Sequence, residues 1–269
     1  MPELPEVEAV ARAAHRLVQG QKIFACRVLH PIAVRPQSPT RLARQVSGES
    51  IEEVERRGKY LLLRLSRGWL VLHFRLDGQL VWFDSEQESG HIDVALELEK
   101  GTLGFVDRRH FGRVGWLARL EDSPGICGLG MDPLSRDFDA ETLEGLLARS
   151  GRPLKLLLMD QGRIAGLGNI YASEVLWHAR LDPRRHSDGL AKTDVRRLHK
   201  AIVYVLRRAL ECCLHPAPDF RDPDWWFQGL EGLLRVYDRE GQRCRRCGSR
   251  IRRVEQGGRS SYFCRGCQR

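Results

Sequence analysis

The opening run of this 269-residue chain, Met1-Pro2-Glu3-Leu4-Pro5-Glu6, can do carbonyl chemistry. A small second residue permits removal of Met1, which leaves Pro2 as a secondary-amine terminus. An α-amino group has an unperturbed pKa of about 7.7–8, so part of it is neutral at working pH. A neutral amine attacks an aldehyde-like carbon to form a Schiff base. Glu3, its neighbour, can shuttle protons. A plainer reading covers part of the run. Pro5 suits the first turn of a helix, and Glu6 and Glu8 suit that helix's positive end. It leaves Pro2-Glu3 unexplained.

The C-terminus carries Cys244-x2-Cys247 and, 16 residues later, Cys264-x2-Cys267. This spacing fits one tetrahedral zinc ion with four thiolate ligands. The spacer can form a hairpin, with strands at 249–255 and 259–263 about a Gln256-Gly257-Gly258 turn. Four thiolates leave no open coordination position, so the zinc is structural, and without metal so small a segment should not fold. A disulfide pairing would need an oxidising compartment, which nothing here suggests. Cys26, Cys127, Cys212 and Cys213 lie in apolar or mixed stretches and read as inert thiols. Arg259, beside the turn, either enters a nucleic-acid groove or is a solvated turn charge.

A third run, 161–174, leads glycines into a helix whose first residue is Asn169. A helix N-terminus offers backbone N–H groups to phosphate, and Asn169 adds a neutral donor. An ordinary helix–turn–helix packing joint is the alternative. A Rossmann reading fails, because the preceding 153–159 run looks helical and no βαβ unit surrounds the glycines.

The elements that must position these groups fall into blocks. Residues 5–19 read as a helix, with Val7, Val10, Ala14, Leu17 and Val18 on one face and Gly20 as its stop. Short β-rich runs follow at 59–65, 69–76, 79–83, 92–98, 102–106 and 114–117, which argues for a sandwich or barrel. Gly/Pro-rich 121–133 reads as a linker. Helices are then expected at 139–148, 153–159, 169–178 and 193–214, the last with Thr193 or Asp194 as N-cap. Residues 219–226 read as a loop.

Composition narrows the class. At 42% hydrophobic and 29% charged the chain is globular rather than disordered. No apolar run reaches the roughly 18 residues of a membrane helix. The acidic opening lacks an h-region, which points to an intracellular protein rather than a secreted one. Forty-four Lys+Arg against 35 acids give +9, and only six of the cations are lysine. Arginine pairs bidentately with phosphate, so a nucleic-acid partner is the sharper reading and an Arg-rich soluble surface the plainer one.

These runs together resemble the formamidopyrimidine-DNA glycosylase family of base-excision repair, relatives of endonuclease VIII. PELPEVE at 2–8, RRGKYLLL at 56–63, AGLGNIYASEVL at 165–176 and FCRGCQ at 263–268 occur in the family's order and span essentially the whole chain. The opening looks like the formamidopyrimidine branch. The resemblance implies an α+β multi-domain fold: an N-terminal β-sandwich with an N-terminal helix (1–120), a linker (121–136), a helix–two-turn–helix DNA-binding domain (137–228) and a four-cysteine zinc finger (229–269). Damaged double-stranded DNA would lie in a basic cleft between domains, bound by a monomer.

The resemblance also implies a bifunctional glycosylase and abasic-site lyase acting on oxidised purines, formamidopyrimidine and 8-oxoguanine. The Pro2 amine would attack C1′ of a flipped nucleotide. β- and then δ-elimination would leave a one-nucleotide gap. Glu3 would protonate the opening sugar, and Glu6 would face the extruded base. Lys59, His73, Arg109, Asn169 and Arg259 would hold phosphates, with Lys155 and Tyr237 as further backbone contacts. Leu76, Arg109 and Phe111 would fill the hole left by flipping. Leu76 replaces the methionine usual there, Arg108 a proline, and His110 a second basic residue. The run 211–219 departs from a Gly-Gly-Thr-rich stretch that leads to a loop over the extruded base. The rival functions are endonuclease VIII-like excision of oxidised pyrimidines and damage binding without catalysis. A zinc-finger transcription regulator would explain neither the N-terminus nor the β domain.

Overall fold

A computed structural model describes residues 2–84, 91–222, 225 and 230–269. The chain divides into two compact units, Met1–Cys127 with Cys213–Gln228, and Gly128–Cys212 with Gly229–Arg269. The second unit holds both the helical and the zinc modules.

The first unit opens with helix α1 (Leu4–Val18), whose apolar face, including Val7, Val10, Ala14 and Val18, is buried. Gly20 ends it at φ +79°, a left-handed conformation that glycine adopts without cost. Two four-stranded antiparallel sheets follow. One has the order β1-β6-β7-β5, from strands Ile23–Val28, Val94–Leu98, Gly101–Val106 and Gln79–Phe83. The other runs β2-β3-β4-β8, from Ile51–Arg57, Tyr60–Leu65, Trp69–His73 and Arg113–Leu117. Apolar residues of both sheets, of α1 and of α2 (Pro39–Val46) form one core. This is the expected sandwich.

Several boundaries differ from the sequence reading. The run expected as a strand from 69 to 76 leaves the ladder after His73, because Arg75 takes a left-handed φ of +56°. Lys59 lies in the turn ahead of β3 rather than in the strand. Strands β1 and β2 and helix α2 were not expected. β2 hides itself because five of its seven residues are charged. A bulge between Ile51 and Glu53 lets Ile51 and Val54, three apart, both face inward, which breaks the period-two signal. The stretch read as a linker contains the short helix α3 (Pro124–Cys127).

Segment 213–225 returns to the first unit and covers the edge strand β5. Phe220 C=O accepts from the Trp82 N–H at 2.7 Å, Trp225 Nε1–H donates to Leu80 C=O at 3.0 Å, and Arg221 pairs with Asp84 at 3.2 Å. The contacts satisfy backbone groups that an edge would otherwise expose. Of the loop expected at 219–226, positions 223, 224 and 226 lie outside the described residues.

The second unit contains α4 (Ala140–Ala148), α5 (Leu154–Leu158), α6 (Asn169–Ala179) and α7 (Lys192–Cys213). Asp139 caps α4 by accepting from the Thr142 N–H at 2.8 Å. α7 begins at Lys192, one residue before the expected cap. Asp194 sits in its first turn and pairs with Arg185 and Arg197 instead. The unit ends in the hairpin β9 (Ile251–Gln256) and β10 (Arg259–Cys264), joined by Gly257-Gly258 at φ +57° and +71°. Two consecutive positive φ values are what a type I′ hairpin turn demands.

Candidate active site

The start of α1 is built for rigidity. Pro2 is buried, Glu3 is wholly buried as the N-cap, and Glu6 is nearly so. The Glu3 backbone N–H donates to Glu6 Oε2 at 2.9 Å, within a capping box. Glu6 therefore holds the backbone on which both Pro2 and Glu3 depend.

One turn further, Glu8 ties the helix to the β2–β3 turn. Its carboxylate bridges Arg12 at 2.8 Å and Arg56 at 2.9 Å. Burial pushes the Glu8 carboxyl up, but Arg56 and Arg12 outweigh it and leave it below the ordinary range. Arg56 also donates to Gly58 C=O at 3.2 Å. Gly58 has φ +59°, so Gly58-Lys59 forms the tight turn that presents the half-buried Lys59.

His73 closes β4, paired in register with Tyr60, whose ring meets it edge-on at 4.8 Å. Burial, then the nearby Arg75 and Lys59 charges, lower its pKa to about 3. It is therefore a neutral imidazole at working pH. Its Nδ1 accepts from the Arg75 N–H at 3.1 Å, which puts the ring proton on Nε2 as a donor.

Two loops carry the remaining groups of this unit. Leu76 is half-buried in the turn after β4. Arg109 and Phe111 lie between β7 and β8. Arg109 reaches Asp77 at 3.4 Å and lies over the Phe111 ring at 5.1 Å, so the two loops are joined. The Phe111 ring stands 48% exposed. Buried Asp107 shapes its loop by accepting from the Arg109 N–H at 3.0 Å and from the Gly112 N–H.

In the second unit Lys155 is 1% exposed. Its ammonium donates to Asn169 Oδ1 at 2.6 Å, Ser260 C=O at 2.8 Å and Ser261 Oγ at 2.8 Å. Three donors meet three acceptors. Lys155 is thus a joint between α6 and β10. Since lysine only donates, it fixes the Asn169 amide with its oxygen inward, so the NH₂ group faces away. Arg259, next to the clamped Ser260, is exposed. Gln161 holds the glycine loop before α6 through Leu167 C=O at 2.6 Å and the Gly166 N–H at 2.9 Å. Tyr237 is half-buried, with its ring edge-on to Tyr262 at 5.3 Å. Buried Glu174 accepts from the backbone N–H groups of Arg235, Val236 and Tyr237 at 2.8–2.9 Å. Burial pushes its carboxyl up, against the pull of those amides.

Cys244, Cys247, Cys264 and Cys267 converge, with all four sulfurs within 4.8 Å of one another. Cys244 to Cys267 is 3.9 Å and Cys247 to Cys264 is 3.4 Å. A tetrahedron with Zn–S bonds of about 2.3 Å has edges of roughly 3.8 Å, so the cage fits one structural zinc ion. Trp177 Nε1–H donates to Cys244 Sγ at 3.4 Å, and Arg246 stacks on that indole at 3.7 Å. These contacts fasten the finger to α6.

Residues 1–114 match the formamidopyrimidine-DNA glycosylase N-terminal domain, 129–214 the formamidopyrimidine-DNA glycosylase H2TH domain, and 241–269 a zinc finger found in FPG and IleRS. The chain belongs to the formamidopyrimidine-DNA glycosylase family. It is 40% identical over 275 residues to the formamidopyrimidine-DNA glycosylase of Pelotomaculum thermopropionicum, covering 100% of this chain and 99% of that protein. Against the Synechocystis protein of the same name it is 40% identical over 283 residues, covering 100% and 98%. Among solved structures it resembles the Lactococcus lactis Fpg complex with abasic-site DNA, with a TM-score of 0.89 at 29% identity over 99% of each chain. A complex of a mutant of that Fpg with Fapy-dG DNA gives 0.90 at 30% over 100% of each.

Within this member of the formamidopyrimidine-DNA glycosylase family, sequence reasoning missed the supports. Glu8, Arg56, Asp77 and Asp107 orient the expected residues, Asp107 from within the same loop and the Glu8–Arg56 and Asp77–Arg109 pairs across distant segments. Two quoted runs already contain supports: PELPEVE ends in Glu8, and RRGKYLLL includes Arg56. His110 adopts φ +54° and shares a hydrogen bond with Asp93 Oδ1 at 2.9 Å, so this departure from the family pattern is locked into the loop of Arg109 and Phe111.

Proposed function

We propose that this protein is a DNA glycosylase and abasic-site lyase of base-excision repair, working on double-stranded DNA inside the cell and selecting oxidised purines. The observation that carries the reading is the N-terminus of α1: a buried Pro2-Glu3 pair braced by Glu6. With Met1 removed, the positive end of α1 disfavours an ammonium at Pro2 and so favours the nucleophilic amine. The amine nitrogen bonds to C1′, the glycosidic bond breaks, and the base departs with the bonding pair. The amine's proton is lost and an iminium links enzyme to sugar. Glu3 protonates the opening ring oxygen and then moves protons during β- and δ-elimination. Lys59, the Nε2–H of His73, Arg109, Asn169 and Arg259 hold backbone phosphates. Leu76, Arg109 and Phe111 fill the gap in the stack. The zinc finger contributes only the placement of Arg259.

Borohydride trapping on an abasic duplex tests this. Processed protein should give a covalent adduct at Pro2, Pro2→Gly should lose most of it, and protein retaining Met1 should give none. An adduct on an internal lysine, or normal trapping with Met1 in place, would overturn the assignment.

A second reading, excision of oxidised pyrimidines, gains support because a relative, Lactococcus lactis Fpg, has been crystallised with oxidised-pyrimidine DNA. The 211–219 run of this chain also departs from the family pattern at the segment leading to the loop over the base. Excision rates on 8-oxoguanine, formamidopyrimidine and thymine glycol duplexes separate the two readings.

A further inference from the structure

The first unit holds a second cluster of metal-ligating side chains, far in sequence from the cysteines. His30, His91, Asp93 and His110 each point a ligand atom at a common centre, all within 4.8 Å of one another. The three imidazole rings lie 4.4–5.0 Å apart around the one carboxylate. Asp93 is wholly buried, with Oδ1 toward His110 at 2.9 Å and His91 at 3.8 Å. Its other oxygen, Oδ2, accepts from the Asp107 N–H at 2.6 Å. That bond holds the carboxylate in place as an outer partner does in metal sites.

We infer that His30, His91, Asp93 and His110 form a second divalent transition-metal site, suited to zinc, that pins the loop bearing Arg109 and Phe111. Three imidazoles and a carboxylate suit zinc and neighbouring first-row ions rather than magnesium or calcium. Bonds of about 2.0–2.2 Å put tetrahedral ligand atoms roughly 3.3 Å apart, so the cluster needs only small side-chain rotations to close. His91, 39% exposed, can make the largest of them. The four ligands come from three places: the end of β1, the start of β6, and the β7–β8 loop. An ion at their centre would tie that loop to the sheet through His110 and, by way of Asp93, through Asp107. Asp107 in turn sets the backbone of Arg109 and Gly112.

Full-length protein titrated with zinc, and in parallel with cobalt(II), tests the site. The expected result is two equivalents per chain, one for each cluster. The cobalt spectrum should show thiolate charge transfer for the finger and a separate d–d signature without it for the second ion. His91→Gln, at an exposed side chain that should not disturb folding, should leave the thiolate signature intact. It should weaken the second equivalent by more than the roughly 10- to 100-fold that loss of an outer partner costs. His30→Gln should do the same. Amide exchange of residues 107–112 should slow when the second equivalent binds wild-type protein. Saturation at one equivalent with a purely thiolate spectrum would overturn the proposal, as would a second equivalent that survives both substitutions.

Discussion

At the scale of single residues, protonation state follows from surroundings. His73 stays neutral in the folded protein down to about 3, whereas the unfolded chain protonates it near 6.5. Below that higher value the unfolded state binds more protons, so stability falls as pH drops from 6.5 toward 3. His178, lowered to about 4 first by burial, adds a parallel loss in the second unit. Glu8 acts in the same sense: its folded pKa lies below 4.5, so the stability it lends is present above that value and lost as pH falls through the folded one. Urea midpoints measured against pH should therefore decline on acidification, and His73→Gln should flatten the upper part of the decline. An unchanged slope in that variant would show His73 to be protonated at its ordinary pH.

At the scale of elements, a buried cation acts as a rivet. Lys155→Met keeps the volume but leaves Asn169 Oδ1, Ser260 C=O and Ser261 Oγ without their donor. The expected cost is about 3 kcal/mol, from leaving buried acceptors unmet. DNA affinity should fall as well, because the Asn169 amide and the Arg259 hairpin lose their common anchor. Zinc content should stay at the wild-type level. Calorimetry, a binding titration and metal analysis on one preparation check all three; wild-type melting would refute the rivet. The elements themselves were legible in the sequence where apolar periodicity was strong, as in α1, α7 and β5. They were hidden where a bulge or charge masked it, as in β2. Chain ends of elements were decided by particular backbone conformations, such as Arg75 leaving the β4 ladder.

At the scale of the whole molecule, the excess of nine positive charges does not measure the DNA interface. Of the proposed phosphate contacts, only Lys59, Arg109 and Arg259 carry formal charge, since His73 is neutral and Asn169 is an amide. Three cations predict that log K falls against log[salt] with a slope of about −3, whereas use of the full excess would give about −8. Arg259→Ala should flatten the slope by about 1. Fluorescence anisotropy over a salt series on an abasic duplex measures both, and a slope near −8 would mean that a diffuse basic surface, rather than a few placed groups, binds the DNA.

Chemistry carried by neighbours along the chain was determined by the sequence alone: the Pro2-Glu3 pair, the two Cys-x2-Cys knuckles and the glycines before Asn169. Each needs only a helix start or a tight turn, and local residue types decide those. Tertiary structure decided everything that depends on distant segments meeting. It engaged Lys155 internally, linked Glu8 to Arg56, and drew His30, His91, Asp93 and His110 to one centre. No spacing rule reports such pairings, because strand register and sheet order, not separation along the chain, set which side chains face each other.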